Sequence, residues 1–102
     1  MLKTKHWDER EKRLEFIRKN IGYGQTLAEF IVDKGHRNGL EVHKVTSTGI
    51  TVISNLKTGK LVTALISRPK QIARLYTANN MTAPKGLLEI AKHHEEKGWN
   101  GI

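Results

Sequence analysis

The first residues of the chain alternate apolar and charged positions with the spacing of an amphipathic helix. Over residues 4–20, Trp7, Leu14 and Ile17 recur near one face, while charged side chains occupy the others. Gly22 follows and is expected to end the helix. The pattern predicts an N-terminal helix that covers a hydrophobic core.

The middle of the chain has the composition and spacing of β-strands. Three runs rich in β-branched residues follow one another: LEVHKVT (40–46), ITVIS (50–54) and KLVTALIS (60–67). The connectors STG and NLKTGK contain glycine and small polar residues, which are typical of hairpins. The pattern predicts a three-stranded antiparallel meander.

The segment before these strands is ambiguous. Thr26 and Glu29 have the spacing of a capping box, which favours a helix start. Phe30, Ile31 and Val32 instead favour a strand. We therefore expect a short turn and then a strand over residues 29–33, which would be the fourth strand of the sheet.

Two helical segments follow the predicted sheet. In SRPKQIARLY, proline suits the first turn of a helix and Ser67 suits its N-cap, which predicts a helix over residues 69–76. A loop leads to a last helix over residues 84–97. The expected buried positions are Ile72, Leu75 and Tyr76 in the first helix, and Leu87, Leu88, Ala91 and His94 in the last.

Together these elements predict one α+β domain that spans residues 1–102. It has an N-terminal helical region (1–24), an antiparallel sheet of three to four strands (29–67) and a helical C-terminal region (69–102). A chain of this length is enough for one modest core.

Several classes of protein are disfavoured by composition. No stretch approaches the roughly 18 apolar residues of a membrane span, and MLKTKHWDEREKR lacks the apolar run of a signal peptide. The absence of cysteine excludes disulfides and zinc–thiolate sites. These features are consistent with a cytoplasmic protein that has no membrane partner.

The net charge of +8 is concentrated in the middle of the chain. Residues 34–80 hold eight basic side chains and one acidic side chain, whereas the flanking segments are nearly neutral. Such a region is typical of proteins that bind a polyanion. A surface that served solubility alone would be expected to intersperse acids. We predict nucleic-acid contacts from Lys34, Arg37, Lys44, Lys57, Lys60, Lys70 and Arg74.

The segment KGHRNGLEVHKV contains candidate acid–base groups. Strand side chains alternate between faces, so Glu41 and His43 are expected on the same face. His36 lies in the glycine-flanked loop before this strand, and Arg68 lies where the last strand ends. RNA cleavage without a metal needs one group to remove the 2′-hydroxyl proton, another to protonate the 5′-oxygen, and a cation beside the phosphate. These four residues could supply that chemistry without a cofactor.

A simpler alternative remains for the same residues. Glu41 and His43 could form a solvent-exposed strand face, on which the carboxylate offsets nearby lysines. The glycines of the preceding loop could merely shape a turn.

The histidines of the last helix do not predict a metal site. Adjacent helical residues project about 100° apart, so His93 and His94 cannot hold one ion as an i,i+4 pair does. Glu89 and His93 have suitable spacing, but two ligands are too few. We expect the two imidazoles to interact with the helix dipole near the C-terminus of this helix.

The central segment also resembles known proteins. Residues 33–76 contain a Gly-His pair, a Glu-Val-His strand, a Thr-Gly-Lys-Leu turn and an Arg-Pro-x-Gln-Ile-x-Arg helix start. In this pattern the chain resembles small uncharacterised proteins of phages and mobile elements in Gram-positive bacteria. More remotely, its element order resembles the barnase–EndoU–colicin–RelE superfamily of ribonucleases and toxins.

The resemblance implies a ribonuclease-toxin-like fold and a set of roles. His36 and His43 would be the acid and base, Glu41 an alternative base, and Arg68 and Arg74 phosphate ligands. Many RelE-type toxins act on the ribosome with mostly basic residues and no clear base. Ribosome-bound message, tRNA and other free RNA therefore all remain candidate substrates.

The leading hypothesis is a small basic RNA-binding protein that is a metal-independent endoribonuclease of toxin type, with an acidic antitoxin or immunity protein as a partner. One alternative is a non-catalytic nucleic-acid-binding or regulatory protein of a phage or mobile element. Another is a protein-interaction module that binds an acidic partner. Cleavage in a chelator separates the first from the second, and salt-dependent RNA binding separates both from the third.

Overall fold

The computed structural model describes residues 5–35 and 39–102, with side chains described from residue 8 onward. Its elements are α1 (Lys5–Asn20), β1 (Thr26–Asp33), β2 (Leu40–Thr46), β3 (Ile50–Asn55), β4 (Leu61–Ile66), α2 (Pro69–Ala78), α3 (Lys85–Glu96) and a short 3₁₀ helix (Trp99–Gly101). The predicted α+β class is confirmed, as is the order of helix, antiparallel meander and two C-terminal helices. Within the described residues, no helix combines the length and apolar character needed to cross a membrane.

The four strands form one antiparallel sheet in the order β1-β2-β3-β4. The fourth strand was expected over residues 29–33 after a turn, but β1 already begins at Thr26, so the predicted turn is wrong. Thr26 pairs with Thr46 of β2, and a β-bulge lies between Thr26 and Ala28. Hydrogen bonds to β2 therefore satisfy the backbone groups of this segment, which in a capping box would have bonded to the Thr26 and Glu29 side chains.

Helix α1 covers one face of the sheet over β3 and β4. Ile17 is fully buried and packs in a cluster with Ile50, Ala64 and Ile66. Arg13 adds polar contacts, because its Nε donates to the Ala64 carbonyl at 2.7 Å and its Nη2 donates to a threonine hydroxyl of β4 at 2.6 Å. The apolar face of α1 thus packs against β3 and β4, the last two strands of the meander.

Helices α2 and α3 cover the opposite face. The core on this side joins buried residues from two strands and both helices: Phe30, Val45, Ile72, Tyr76, Leu87 and Ala91. The rings of Phe30 and Tyr76 meet edge to face with centroids 4.9 Å apart. Of the positions predicted to be buried in these two helices, Ile72, Tyr76, Leu87, Ala91 and His94 are buried, whereas Leu75 and Leu88 are only partly buried against the same core. The sheet has helices on both sides.

The start of α2 differs from the prediction. Its N-cap is Arg68, whose backbone N–H donates to Gln71 Oε1 at 2.9 Å, and Ser67 does not cap the helix. The Ser67 hydroxyl instead bonds to Thr51 of β3 at 2.5 Å. Ser67 is therefore a buried residue between the sheet and α2, not a capping residue at the surface.

Candidate functional site

A cleft of about 620 Å³ lies between α2 and the sheet face that α2 covers. We call it the α2 cleft. Its apolar lining consists of Ile31, Val32, Ile53, Leu65, Leu75 and Ala78, and its polar lining consists of Asp33, Lys34, His43, Thr51, Ser67, Gln71, Arg74 and Asn79. Its volume lies within the range of small-molecule and cofactor pockets, about 300–1,000 Å³.

His43 and Glu41 form a buried pair at this cleft. Both side chains project from the same face of β2, as alternation predicted, and His43 Nε2 lies 3.1 Å from Glu41 Oε1. His43 is 8% exposed and Glu41 is 7% exposed. The alternative of a solvent-exposed strand face is therefore wrong. His43 lies opposite Phe30 of β1 and Ile53 of β3, which puts it inside the sheet rather than at an edge.

The hydrogen bond to Glu41 sets the chemistry of the imidazole. A carboxylate only accepts hydrogen bonds, so His43 Nε2 carries the proton. The other ring nitrogen, Nδ1, is then left with a lone pair that can take a proton. His43 lines the cleft and Glu41 does not. The pair is consequently arranged with the carboxylate behind the ring and the imidazole facing the cavity.

Two hydroxyl groups line the same cleft. Thr51 Oγ1 and Ser67 Oγ are 2.5 Å apart, and both residues are almost completely buried. A hydroxyl can donate and accept at once, so the pair keeps hydrogen-bonding capacity for a ligand. Sequence reasoning missed both residues. The pairing of β2 with β3 could have indicated Thr51. Thr51 pairs with Val45, and Val45 lies two residues after His43 on β2, so Thr51 and His43 are on the same face of the sheet.

Two of the predicted nucleic-acid-binding residues lie at the cleft. Arg74 of α2 and Lys34, which follows β1, both line it and are exposed. Asp33 also lines it, but its Oδ1 accepts the backbone N–H of Gly35 at 2.7 Å. The cleft thus combines a buried imidazole with two exposed cations and one carboxylate that is engaged in a turn.

The remaining predicted residues lie elsewhere. Arg68 and Lys70 flank the start of α2 and line a separate cleft with Pro69, Lys92 and Glu95. Lys44 projects from β2 on the face opposite to His43. Lys57 and Lys60 lie exposed in the connection between β3 and β4. His36 and Arg37 lie outside the described residues. Of the predicted catalytic set, the structure brings together His43 and Glu41, and it does not bring Arg68 to their cleft.

The histidines of α3 have different surroundings. His94 is buried, donates from Nε2 to the Thr48 carbonyl at 2.8 Å and stacks on Trp99. His93 is exposed. No group of three or more side chains suited to a metal ion occurs among the residues that the structure describes. His94 therefore has a structural role, because it joins α3 to the turn between β2 and β3.

Known proteins give no further guidance to this site. Comparisons with protein-family models, curated proteins and solved structures returned no match. The resemblance to small phage proteins and to the barnase–EndoU–colicin–RelE superfamily accordingly stays a prediction.

Proposed function

We propose that the protein binds RNA and cleaves it without a metal ion, with His43 as the central acid–base group. The observation that carries this proposal is the buried His43–Glu41 pair facing a cleft lined by Arg74 and Lys34. Histidine exchanges protons near neutral pH. Buried imidazole–carboxylate pairs that open onto a cavity with cations are suited to acid–base chemistry on a phosphate ester.

In the proposed reaction the 2′-oxygen of the RNA attacks the adjacent phosphorus. The bond from the 2′-oxygen to phosphorus forms and the bond from phosphorus to the 5′-oxygen breaks, so the products are a 2′,3′-cyclic phosphate and a 5′-hydroxyl. His43 Nδ1 is suited to take the 2′ proton, and Glu41 holds the ring in the tautomer that does so. His36 is the candidate for the second proton transfer.

Charge on the phosphate increases as the reaction proceeds and requires donors. Arg74 and Lys34 supply cationic donors at the cleft. In the Thr51–Ser67 pair one hydroxyl donates to the other, so the pair retains one neutral donor. In this proposal Arg74 takes the phosphate role that the family resemblance implied for Arg68 and Arg74 together. Arg68 would then contact RNA that extends beyond the cleft.

A second candidate function is non-catalytic nucleic-acid binding. It is favoured by the basic residues that do not line the cleft, since Lys57 and Lys60 are exposed in a hairpin without any acid-base group nearby in sequence. The same positive surface would also suit an acidic protein, such as an antitoxin or immunity protein.

If the protein cleaves RNA as proposed, it would meet its substrates, including tRNA and ribosome-bound message, in the cytoplasm.

The deciding experiment incubates the purified protein with a panel of RNAs in EDTA. Cleavage with 2′,3′-cyclic phosphate ends is expected, while DNA of the same sequence stays intact because it lacks the nucleophile. Removing one general acid or base typically lowers the rate about 10²–10⁴-fold. We expect that loss for His43→Ala and none for His93→Ala, a matched control at an exposed histidine of α3.

Two results would contradict the proposal. One is a full panel, including tRNA and ribosome-bound message, that stays uncut by the wild-type protein. The other is cleavage that His43→Ala leaves unchanged while circular dichroism shows that the variant is folded.

A further inference from the structure

The two edges of the sheet differ in how their outward backbone groups are satisfied. On β4, the Ala64 carbonyl accepts a hydrogen bond from Arg13 Nε at 2.7 Å. The Ile66 carbonyl of the same strand accepts one from Asn100 Nδ2 at 2.6 Å. Helix α1 and the 3₁₀ helix also contact this strand. Because side chains already bond to these carbonyls, the β4 edge is blocked against another strand.

The outward backbone groups of β1 follow from its pairing with β2. Lys34 donates its N–H to the Gly39 carbonyl at 2.9 Å, and hydrogen-bonded pairs alternate along an antiparallel ladder. Even-numbered residues of β1 after the bulge therefore bond to β2, and the N–H and carbonyl groups of Glu29, Ile31 and Asp33 point away from the sheet. Within the described part of the chain, no hydrogen bond reaches these outward groups.

Strand β1 lacks the usual features that protect a sheet edge. It has eight residues, TLAEFIVD, with no proline, lysine or arginine among them. Its bulge lies at the start, between Thr26 and Ala28, so the pairing is regular from Ala28 to Asp33. Leu27 and Ile31 are 48% and 60% exposed, respectively. An open edge with exposed apolar side chains is a template for the addition of another strand.

We propose that β1 pairs with β1 of a second copy of the chain. A two-fold axis through the middle of the strand makes the pair antiparallel and joins the two four-stranded sheets into one. This inference does not rest on the proposed function.

The charge of β1 favours a second copy as the occupant of this edge. The chain has a net charge of +8, yet β1 carries Glu29 and Asp33 and no basic side chain. Two positively charged chains can therefore approach each other at β1 with less repulsion than through the basic residues of segment 34–80. A polyanion, in contrast, is disfavoured at this strand.

The positions of the two acids select the register of the pairing. Outward groups must face each other, so odd-numbered residues of one copy lie opposite odd-numbered residues of the other. One register places Glu29 opposite Glu29 of the second copy and another places it opposite Asp33, and like charges directly opposite are destabilising. The register between these two places Glu29 opposite Ile31 and Asp33 opposite Leu27. In it each acid faces an apolar side chain.

The same register brings exposed apolar side chains together. Diagonal neighbours on one face of an antiparallel pair are about 7–8 Å apart, within reach of long side chains. When Glu29 lies opposite Ile31, the diagonal neighbours of Ile31 are Leu27 and Ile31 of the second copy. The exposed apolar side chains of the two strands thus cover each other.

The first test measures the outward amides of β1. Hydrogen exchange of the wild-type protein, freed of nucleic acid, is followed by NMR in dilute and in millimolar samples, and sedimentation reports the dimer in the same samples. We expect the amides of Glu29 and Ile31 to exchange about tenfold more slowly in the concentrated sample, because pairing bonds both of them. The amide of Phe30 is the control, since it bonds to β2 in either state.

Two results of this test would overturn the inference. One is a protein that stays monomeric at millimolar concentration. The other is a dimer in which the amides of Glu29 and Ile31 exchange as fast as in the monomer, because the contact would then not involve the edge of β1.

The second test uses charge at Ile31 to check the register. Ile31→Glu places a carboxylate opposite Glu29 of the second copy, whereas Ile31→Lys places an ammonium group there. We expect the dimer dissociation constant of Ile31→Glu to exceed that of Ile31→Lys by about tenfold, since each change acts at two symmetry-related pairs. Net charge predicts the opposite order, because glutamate lowers the charge of the chain from +8 to +7 and lysine raises it from +8 to +9. Equal dissociation constants, or an order that follows net charge, would overturn the inference.

A matched control lies on the β4 side of the sheet. Ile102 is exposed and lines a small cleft with Arg13 and Ile66. Ile102→Glu and Ile102→Lys introduce the same charges and should leave the dimer dissociation constant within about twofold of the wild type, because exposed charges that are far apart are screened. Thermal unfolding checks that all the variants are folded. Equal effects at Ile102 and Ile31 would show that the contact does not lie at β1 and would overturn the inference.

Discussion

Glu41 Oε1 lies 3.1 Å from His43 Nε2, and the two side chains are only 9% and 10% exposed. A polar group buried to this extent needs its partner, since losing it leaves the full cost of desolvation. Glu41→Ala should therefore lower the free energy of unfolding by about 1–3 kcal/mol. Glu41→Gln keeps an oxygen acceptor of the same size and should lower it by less. Denaturant unfolding with a tryptophan signal measures both.

The control for that pair is an exposed glutamate of the neighbouring strand. Glu29 lies on β1 and is exposed, so Glu29→Ala should change the free energy of unfolding by no more than about 0.5 kcal/mol. Equal stabilities of Glu41→Ala and Glu29→Ala would contradict the buried hydrogen bond on which the candidate site depends.

The positions of Arg74 and Lys57 predict different contributions to RNA binding. Arg74 lines the cleft, whereas Lys57 lies in the exposed β3–β4 connection. Each substitution by glutamine removes one phosphate contact at most, so each should reduce the slope of log affinity against log salt by about one. Arg74→Gln should also lower the cleavage rate at saturating RNA, because a cation at the phosphate acts on the transition state. Lys57→Gln should leave that rate unchanged.

A single-turnover assay at two salt concentrations separates these effects. Equal rates for Arg74→Gln and the wild type at saturating RNA would remove Arg74 from the reaction and leave it a binding role alone.

The hydroxyl pair of Thr51 and Ser67 gives a prediction about coupling. Thr51→Val preserves shape but strands the buried Ser67 hydroxyl, at a cost of about 1–3 kcal/mol. Ser67→Ala strands Thr51 in the same way. The double substitution removes both partners, so its loss of stability should be smaller than the sum of the single losses. Additive losses in a double-mutant cycle would contradict a shared bond.

Strand alternation was enough to predict that Glu41 and His43 share a face, because that relation is local to one strand. Their burial was not predictable in the same way. It depends on α2 packing over the sheet, and the helix begins 26 residues after His43. A histidine that faces a cavity and a histidine on an open strand have the same local sequence pattern. Only the tertiary packing distinguishes them.

The role of Ser67 was also not predictable from the sequence. A serine just before a proline-initiated helix is a reasonable N-cap, yet Arg68 takes that position and Ser67 bonds to a residue 16 positions earlier. The bond follows from how β4 pairs with β3, where the register shifts between Ile53 and Ser54. Such a bulge leaves little trace in the pattern of apolar residues. In contrast, the helical spacing of apolar residues in α2 correctly predicted that Ile72 and Tyr76 are buried, and Arg74, which lies outside that spacing, is exposed.

The two adjacent histidines of α3 provide the last prediction. His94 donates to the Thr48 carbonyl at 2.8 Å and stacks on Trp99 with centroids 5.3 Å apart, whereas His93 is exposed. His94→Ala removes the hydrogen bond and the ring contact and leaves a small cavity. It should therefore lower the free energy of unfolding by about 2–4 kcal/mol. His93→Ala should change it by no more than about 0.5 kcal/mol. Because neither residue lines the α2 cleft, RNA cleavage by folded His94→Ala should match the wild type at low temperature. Urea titrations of both variants check the stabilities, and a ranking in which His93→Ala is the more damaging would show that α3 does not dock through His94.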